Sequence, residues 1–250
     1  MPVNSSRESE IKREVRSTFD FISDDYDKLR SRIWEDLTEF TEEHLFSPEL
    51  NKDDVVLDLA CGNARHAIYI AGKHQLRCVA IDFSLQLLRH ARYRVNTSRL
   101  ERMVAVINGD ASNIPLRTES VNGVLYVAAI HHLPTGSERL KSMREVSRII
   151  NDRGRAVVTV WRKWQRRFGL HFLRRHLRHP LGDKAHGELG DIQIPWRSGH
   201  GATSISRFYH LFSKRELGKL LSESGLKAVR ISKSSKKAGE GSFFASVEKQ

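Results

Sequence analysis

The spacing of hydrophobic residues changes character along the chain. Ile11, Val15, Phe19, Ile22 and Tyr26 recur every three or four positions, and Trp34, Leu37, Phe40 and Leu45 continue the pattern up to Pro48. That is the period of amphipathic helices. From Val55 the pattern collapses into short continuous runs: VVLDLA (55–60), CVAID (78–82), MVAVI (103–107), GVLYVAA (123–129) and RAVVTVW (155–161). Runs of this kind mark strands of a parallel sheet covered on both faces. Helix-like stretches such as LQLLRHARYRV and GSERLKSMREVSRII lie between them. Strands alternating with helices predict an α/β fold, with right-handed crossovers placing helices on both faces of the sheet. Ligands of such sheets bind at the carboxyl ends of the strands.

After Trp161 the rhythm stops. Residues 162–205 are rich in Arg, His and Gly and predict an insertion made of a short helix plus loops. The α/β pattern resumes with the helix-like SKRELGKLLSES (213–224). LKAVRIS and SFFASVE then predict two last strands, joined by the Lys/Gly-rich loop 233–241. The expected organisation is one domain: an N-terminal helical segment (1–50), a ligand-binding core (51–161), the basic insertion (162–205) and a C-terminal part of the same fold (206–250). The expected sheet is Rossmann-like, seven-stranded and mostly parallel.

Charge narrows the partners. A formal net charge of +12 and a pI near 10.0 favour a polyanion, either nucleic acid or an anionic membrane surface, over a neutral ligand alone. The plainer reading of the same numbers is a surface rich in lysine and arginine. No apolar run is long enough to cross a bilayer, and the opening MPVNSSRESEIKRE lacks the apolar stretch of a signal peptide. Cys61 and Cys78 form no CxxC pair and no disulfide framework. A cytoplasmic protein with reduced thiols, and without a metal site or membrane of its own, is therefore expected.

The turn after the first strand reads Asp58-Leu59-Ala60-Cys61-Gly62-Asn63-Ala64. Gly62 lets the backbone approach a ligand, and small Ala60 and Ala64 keep the strand-to-helix turn tight. Asp82 ends the second strand, where a carboxylate can hold both hydroxyls of a ribose. Asp110, in Asn108-Gly109-Asp110-Ala111, ends the third strand and can accept a hydrogen bond from an adenine amino group. Any one of these aspartates alone reads as a helix cap or turn residue. Together, at successive strand ends, they form an acceptor-rich crevice suited to a cationic, amine-bearing nucleoside such as S-adenosylmethionine. The turn lacks the G-x-G-x-x-G of dinucleotide oxidoreductases, and the chain has no P-loop.

Asp58 to Asn63, Asp82-Phe83-Ser84 and Gly109-Asp110-Ala111 resemble the cofactor motifs of class I S-adenosylmethionine-dependent methyltransferases. The flanking stretches FDFISDDYDKLRSRIW, AAIHHLPT, GDIQIPWR and RFYHLF resemble, in that order, the tRNA wobble-uridine methyltransferases. Those enzymes esterify the carboxylate of 5-carboxymethyluridine in the anticodon, and in animals the domain is fused to an AlkB-like dioxygenase. The resemblance covers roughly residues 11–248. It departs at Ala60 and Ala64, where that family usually has glycines.

The resemblance implies cofactor contacts from Asp58, Ala60, Cys61, Gly62, Asn63, Asp82, Phe83, Asp110 and Ala111. It also places the family's arginine at Arg30. A carboxylic acid near pKa 4 is already ionised at neutral pH, so a carboxylate acceptor needs no general base. It needs to be held in line with the methyl group and shielded from water. A planar guanidinium can grip it through two parallel hydrogen bonds. Arg30, His131, His132, Arg207, Tyr209 and His210 are the candidate acceptor-side residues. Arg30 reads otherwise as a surface arginine on a helix end, and one histidine of the pair as a packed residue.

Arg162, Lys163, Arg166, Arg167, Arg174, Arg175 and Arg178 interleave with Trp161, Trp164, Phe168, Phe172, His171, His176 and His179. Such a tract suits phosphates and unpaired bases of a tRNA anticodon stem-loop, though a charge run is more often a solvated face. The third strand, expected at the sheet edge, would leave MVAVI unpaired. The resembled family covers that edge with a small zinc-ribbon activating subunit, and the same partner is expected here. Two alternatives remain open from the sequence: a small-molecule O- or C-methyltransferase, and an RNA-binding scaffold without turnover.

Overall fold

The computed structural model describes residues 3–46, 50–165, 167–178, 187–196, 205–234 and 241–250. Its N-terminal segment is three helices, α1 (Val3–Phe21), α2 (Ser23–Leu29) and α3 (Glu35–His44). The periodic apolar run 11–26 is therefore broken at Ile22, which lies buried between α1 and α2.

The remaining elements alternate as β1 (Val55–Leu59), α4 (Arg65–His74), β2 (Arg77–Asp82), α5 (Leu85–Thr97), β3 (Val104–Asn108), β4 (Val121–Val127), α6 (Gly136–Ile149) and β5 (Ile150–Trp161). They continue with α7 (Gly169–Arg178), β6 (Asp191–Trp196), β7 (Ile205–His210), α8 (Lys214–Glu223), β8 (Leu226–Lys233) and β9 (Ser242–Lys249). Seven strands form one sheet in the order β3-β2-β1-β4-β5-β9-β8. β1 to β5 pair in parallel, and β9 runs antiparallel to both β5 and β8. This is the predicted seven-stranded, mostly parallel sheet.

Alternation along β1 decides which face each residue meets. Leu57 and Leu59 pack with Met143, Val146 and Ile149 of α6 and Leu217 and Leu221 of α8. Val56, on the other face, packs with Phe40 of α3, Ile70 of α4 and Leu88 of α5. Both faces are closed by helices, which is why the strands read as unbroken apolar runs. The sheet reverses its order between β1 and β4, and the crevice expected of such a switch point lies beyond their carboxyl ends.

The insertion differs from the expected helix and loops. Besides α7 it contains β6, which pairs antiparallel with β7 in a separate two-stranded sheet, from Asp191↔His210 to Trp196↔Ile205. Pro195 hides this strand in the sequence, because proline cannot donate to a ladder. A two-stranded sheet has a free side on each strand, so Pro195 opposite Ser206 is tolerated. Phe168, Phe172, Ile194, Tyr209 and Leu211 form a small core beneath α7 and the hairpin. Arg166, His179 and Arg197, the side chains of Arg175, His176 and Arg178, and most of the 233–241 loop lie outside the described residues. No helix among the described residues is long and apolar enough to cross a membrane.

Candidate active site

A crevice of about 360 Å³ opens at the carboxyl ends of β1, β2, β3 and β4. That volume suits a nucleoside-sized ligand. Its floor holds Ala60, Gly62, Asp82, Phe83, Asn108, Asp110, Ala111 and Ala128. Asp82 is aimed by backbone: its Oδ2 accepts from the Gly62 amide at 2.8 Å and its Oδ1 from the Ser84 amide at 2.9 Å. Burial nevertheless pushes its carboxyl up to about 6. An under-solvated carboxylate of this kind favours a ligand that donates hydroxyl hydrogens to it. Asp110 accepts the Ser112 amide at Oδ1 (2.7 Å) and the Lys12 ammonium at Oδ2 (3.1 Å).

Asp58 does not line the crevice. Because Leu57 and Leu59 face α6 and α8, Asp58 points to the opposite face, where Oδ2 accepts the Ala67 amide in the first turn of α4 at 3.1 Å. Burial lifts its carboxyl to about 7. Its place is behind the turn, holding the start of α4. Cys61 is a buried thiol pushed well up by burial, and its amide is held by the Ile81 carbonyl. Asn63 donates to Asp27 Oδ1 at 2.9 Å and to the Arg30 carbonyl at 3.2 Å, so it ties the turn to α2. Arg65 donates to the same carbonyl at 2.9 Å.

The two alanines are more than small residues. Ala60 (φ 55) and Ala64 (φ 58) both adopt the left-handed conformation, as does Gly62 (φ 57). A Cβ in that region costs about 1 kcal/mol, so this turn is strained where glycine would relax it. A Cβ added at Gly62 would meet the Tyr26 ring at 3.1 Å, so the turn and α2 are packed without spare room.

The cofactor motifs did not reveal the crevice roof. Lys12, Arg13, Val15, Arg16 and Phe19 of α1 and Tyr26 of α2 line it, with His132 and Leu133 beyond β4. Phe19 meets the His132 ring edge-on, with centroids 5.0 Å apart. The signals in the sequence were the helical period of Val15, Phe19 and Tyr26 and the place of the last two in the stretch FDFISDDYDKLRSRIW, neither of which says what they pack on.

On the acceptor side, His132 bonds through Nδ1 to the Phe208 carbonyl at 2.8 Å, so that nitrogen donates and Nε2 is left as an acceptor. Burial drives its pKa down to about 3. His131 is fully buried, takes the Trp161 amide at Nδ1 (3.4 Å), and is likewise held neutral by burial. His131 stacks on Tyr209, and Tyr209 on Trp161, at 5.0 and 4.8 Å. Arg207 lies between Trp196 and Tyr209, 4.6 and 5.2 Å from the ring centroids. Its Nε is buried with no hydrogen-bond partner, and burial, with Arg30 nearby, lowers its affinity for the proton. Arg30, Arg207, Tyr26 and Tyr209 interact electrostatically as one group. Among the described residues neither arginine pairs with a carboxylate.

His210 is not in this group. Side chains alternate along β7, so Arg207 and Tyr209 share one face while Phe208 and His210 take the other. His210 is 1% exposed, with Nδ1 2.7 Å from Asp191 and Nε2 2.6 Å from Glu216. Glu188, Asp191 and His210 lie close enough together to hold an ion, but Arg139 already pairs with Glu188 and Lys163 with Glu216. The cluster is an ion-pair lock between the hairpin and α8. The expected acceptor-side role of His210 is corrected accordingly, and Lys163, buried in the lock, leaves the set of cations available to phosphate. Among the described residues the exposed part of the tract is Arg167, His171 and Arg174, with Trp164 (51% exposed), while Phe168 and Phe172 are its buried stripe.

Residues 56–154 match the family model described as a methyltransferase domain. A protein of Encephalitozoon cuniculi, whose name places it among methyltransferases without a substrate, is 27% identical over 241 residues (95% of this chain and 96% of that one). The human protein named probable tRNA methyltransferase 9B is 22% identical over 207 residues, 83% of this chain and 38% of that one. The Macaca fascicularis tRNA (carboxymethyluridine(34)-5-O)-methyltransferase ALKBH8 is 26% identical over 161 residues, 64% of this chain and 22% of that one. The chain thus spans well under half the length of these last two. Among solved structures, a SAM-dependent methyltransferase from Methanosarcina mazei superposes with a TM-score of 0.66 at 18% identity, over 87% of this chain and 98% of that one. The methyltransferase in a Haloferax volcanii complex with the Trm112 activator superposes with a TM-score of 0.64 at 14% identity, over 94% of this chain and 97% of that one. The strand order, the crevice with Asp82 and Asp110, and these likenesses converge on one conclusion: residues 56–154 carry a methyltransferase domain, on a fold shared with solved S-adenosylmethionine-dependent methyltransferases.

Proposed function

We propose that the chain methylates the carboxylate of 5-carboxymethyluridine, or its 2-thio form, at the wobble position of a tRNA anticodon stem-loop. The observation that carries this reading is the pair Arg30 and Arg207, two guanidinium groups without a carboxylate partner among the described residues, with Arg207 acting on the neutral His131 and on His132, which lines the crevice. Two such half-buried cations side by side call for an anionic acceptor group.

When bound, S-adenosylmethionine supplies an electrophilic methyl group on its sulfonium. Asp82 holds the ribose hydroxyls and Asp110 the adenine end, while α1 and Tyr26 roof the crevice against water. Arg30 and Arg207 orient the acceptor carboxylate so that one oxygen points at the methyl carbon. No proton has to be removed, because that carboxylate is ionised at neutral pH. His132, with its pKa near 3, is a poor general base at that pH. Among the described residues on the acceptor side, both histidines are held neutral and weakly basic by burial, which favours an acceptor that is already ionised.

The RNA-facing surface in this reading is Trp164, Arg167, His171 and Arg174 on and before α7. Four relatives or more carry tRNA in their names, the human and macaque proteins among them, which supports the same substrate class. A zinc-ribbon activating subunit is proposed for the β3 edge. β3 ends the sheet, and α5, which packs on β3, carries the 70% exposed Tyr93. The Haloferax volcanii neighbour was solved in complex with the Trm112 methyltransferase activator. Both cysteines here are buried and unpaired, so a zinc ion would belong to the partner.

Nucleoside mass spectrometry of total tRNA, with and without the gene, tests the proposal. Loss of the methyl ester with build-up of the free acid is expected. An unchanged wobble profile would contradict it.

A further inference from the structure

Three cations of α1 line the cofactor crevice, and one differs from the others. Arg13 and Arg16 make no ion pair among the described residues, whereas Lys12 is fully engaged. Its ammonium lies 3.1 Å from Asp110 Oδ2 and 3.2 Å from Ser112 Oγ, and it pairs with Glu138 Oε2 in the first turn of α6. Ser112 Oγ donates to the same Glu138 oxygen at 2.8 Å. An ammonium has three donors, and all three are used. The other oxygen of Asp110 is taken by the Ser112 amide. Each Asp110 oxygen therefore already accepts one hydrogen bond, and the charged one comes from α1, at the point where the crevice offers a carboxylate to an adenine amino group.

We infer that Lys12 is a determinant of cofactor affinity, competing with the adenine amino group for Asp110 and latching α1 over the crevice until the nucleoside displaces it. The inference rests on Asp110 serving the adenine end of the cofactor. Lys12 lines the crevice together with Asp110, so ammonium and amino group address the same carboxylate from the same cavity. The pair is accessible to salt, with the Lys12 and Asp110 side chains 25% and 45% exposed. A latch of this kind lowers affinity, shields the adenine subsite from water in the absence of nucleoside, and couples cofactor arrival to the position of α1. Through α2, the same segment carries Tyr26 and Arg30, so the latch lies upstream of the acceptor site as well.

Calorimetric titration of the full chain with S-adenosylhomocysteine provides the test. That ligand carries no net charge at neutral pH, so a salt effect on its binding reports on the protein's own ion pairs. Lys12→Met is expected to bind about threefold or more tightly than wild type at about 50 mM salt. Wild type is expected to tighten toward the variant at about 300 mM salt, while the variant stays constant. Lys12→Gln should match Lys12→Met, and Lys12→Arg should keep the wild-type affinity and salt response. Equal or weaker binding by both neutral variants would overturn the latch and identify Lys12 as a support of the site. A wild-type chain that fails to bind the ligand at any salt would sink the cofactor role of the crevice, a different failure from that of the latch.

Discussion

The cofactor half and the acceptor half of the site are built by different means. On the cofactor side, Asp82 is fixed by two backbone amides at the ends of parallel strands, so its place follows from the sheet. On the acceptor side, Arg207 and Tyr209 sit on a two-stranded hairpin whose other strand is part of the insertion. They are held there by stacking on Trp161, Trp196 and His131. The first half has rigidity supplied by the fold. The second gains it from local aromatic packing and from the His210 lock with Asp191 and Glu216. In the proposed reading, cofactor binding rests on the fold itself, while acceptor choice rests on an appended element outside the seven-stranded sheet.

The sharpest way to separate the halves is to remove one guanidinium. Arg207→Ala is expected to lower kcat/KM for the anticodon stem-loop by about 100-fold, with S-adenosylhomocysteine binding unchanged. Arg207→Lys should recover little, because a point charge does not reproduce the planar fork. Steady-state kinetics beside calorimetry check this; a matching loss of cofactor affinity would show that the two halves are one unit. The converse change, Asp82→Asn, is expected to weaken cofactor binding about tenfold while leaving binding of the stem-loop RNA unaffected.

A smaller effect concerns Asp58 and its pH dependence. Burial raises its folded-state pKa to about 7, above the value of the unfolded chain. Stability from this group is therefore full below about pH 4 and is lost as pH rises through about 7. Asp58→Asn, which keeps an acceptor for the Ala67 amide, should raise the thermal midpoint by a few degrees at about pH 8 and by little at about pH 5. A gain of equal size at both values would refute a charge-burial origin. Smallest of all, Ala60→Gly should stabilise the chain by about 0.5–1 kcal/mol in denaturant titration, since it relieves a left-handed Cβ. A loss of stability would mean that the alanine methyl packs better than it strains.

The same contrast explains what could be read from the sequence. Parallel strands buried on both faces announce themselves as apolar runs, and the aspartates at their ends inherit positions from them. Asp82 and Asp110 were legible for that reason. Asp58 was legible as a motif residue but not in its role, because only the alternation set by Leu57 and Leu59 sends it away from the crevice. β6 was concealed by Pro195, and with it the rule that puts His210 on the face opposite Arg207 and Tyr209. The roof residues Lys12, Phe19 and Tyr26 looked like ordinary amphipathic helix, since a period reports burial and not what is covered. Ala60 and Ala64 were visible as departures from the usual glycines, yet their strain depends on φ, which composition does not carry.

The central claim, that the pocket takes a carboxylate as nucleophile, is tested most directly by offering one anticodon stem-loop in two forms. One carries 5-carboxymethyluridine at the wobble position and the other the matching carboxamide, each with S-adenosylmethionine and, if required, the activating partner. Methyl transfer to the acid alone, slowed about 100-fold by Arg207→Ala, is the predicted result. Transfer to the amide at a comparable rate, or to neither while another nucleoside is methylated, would contradict the account.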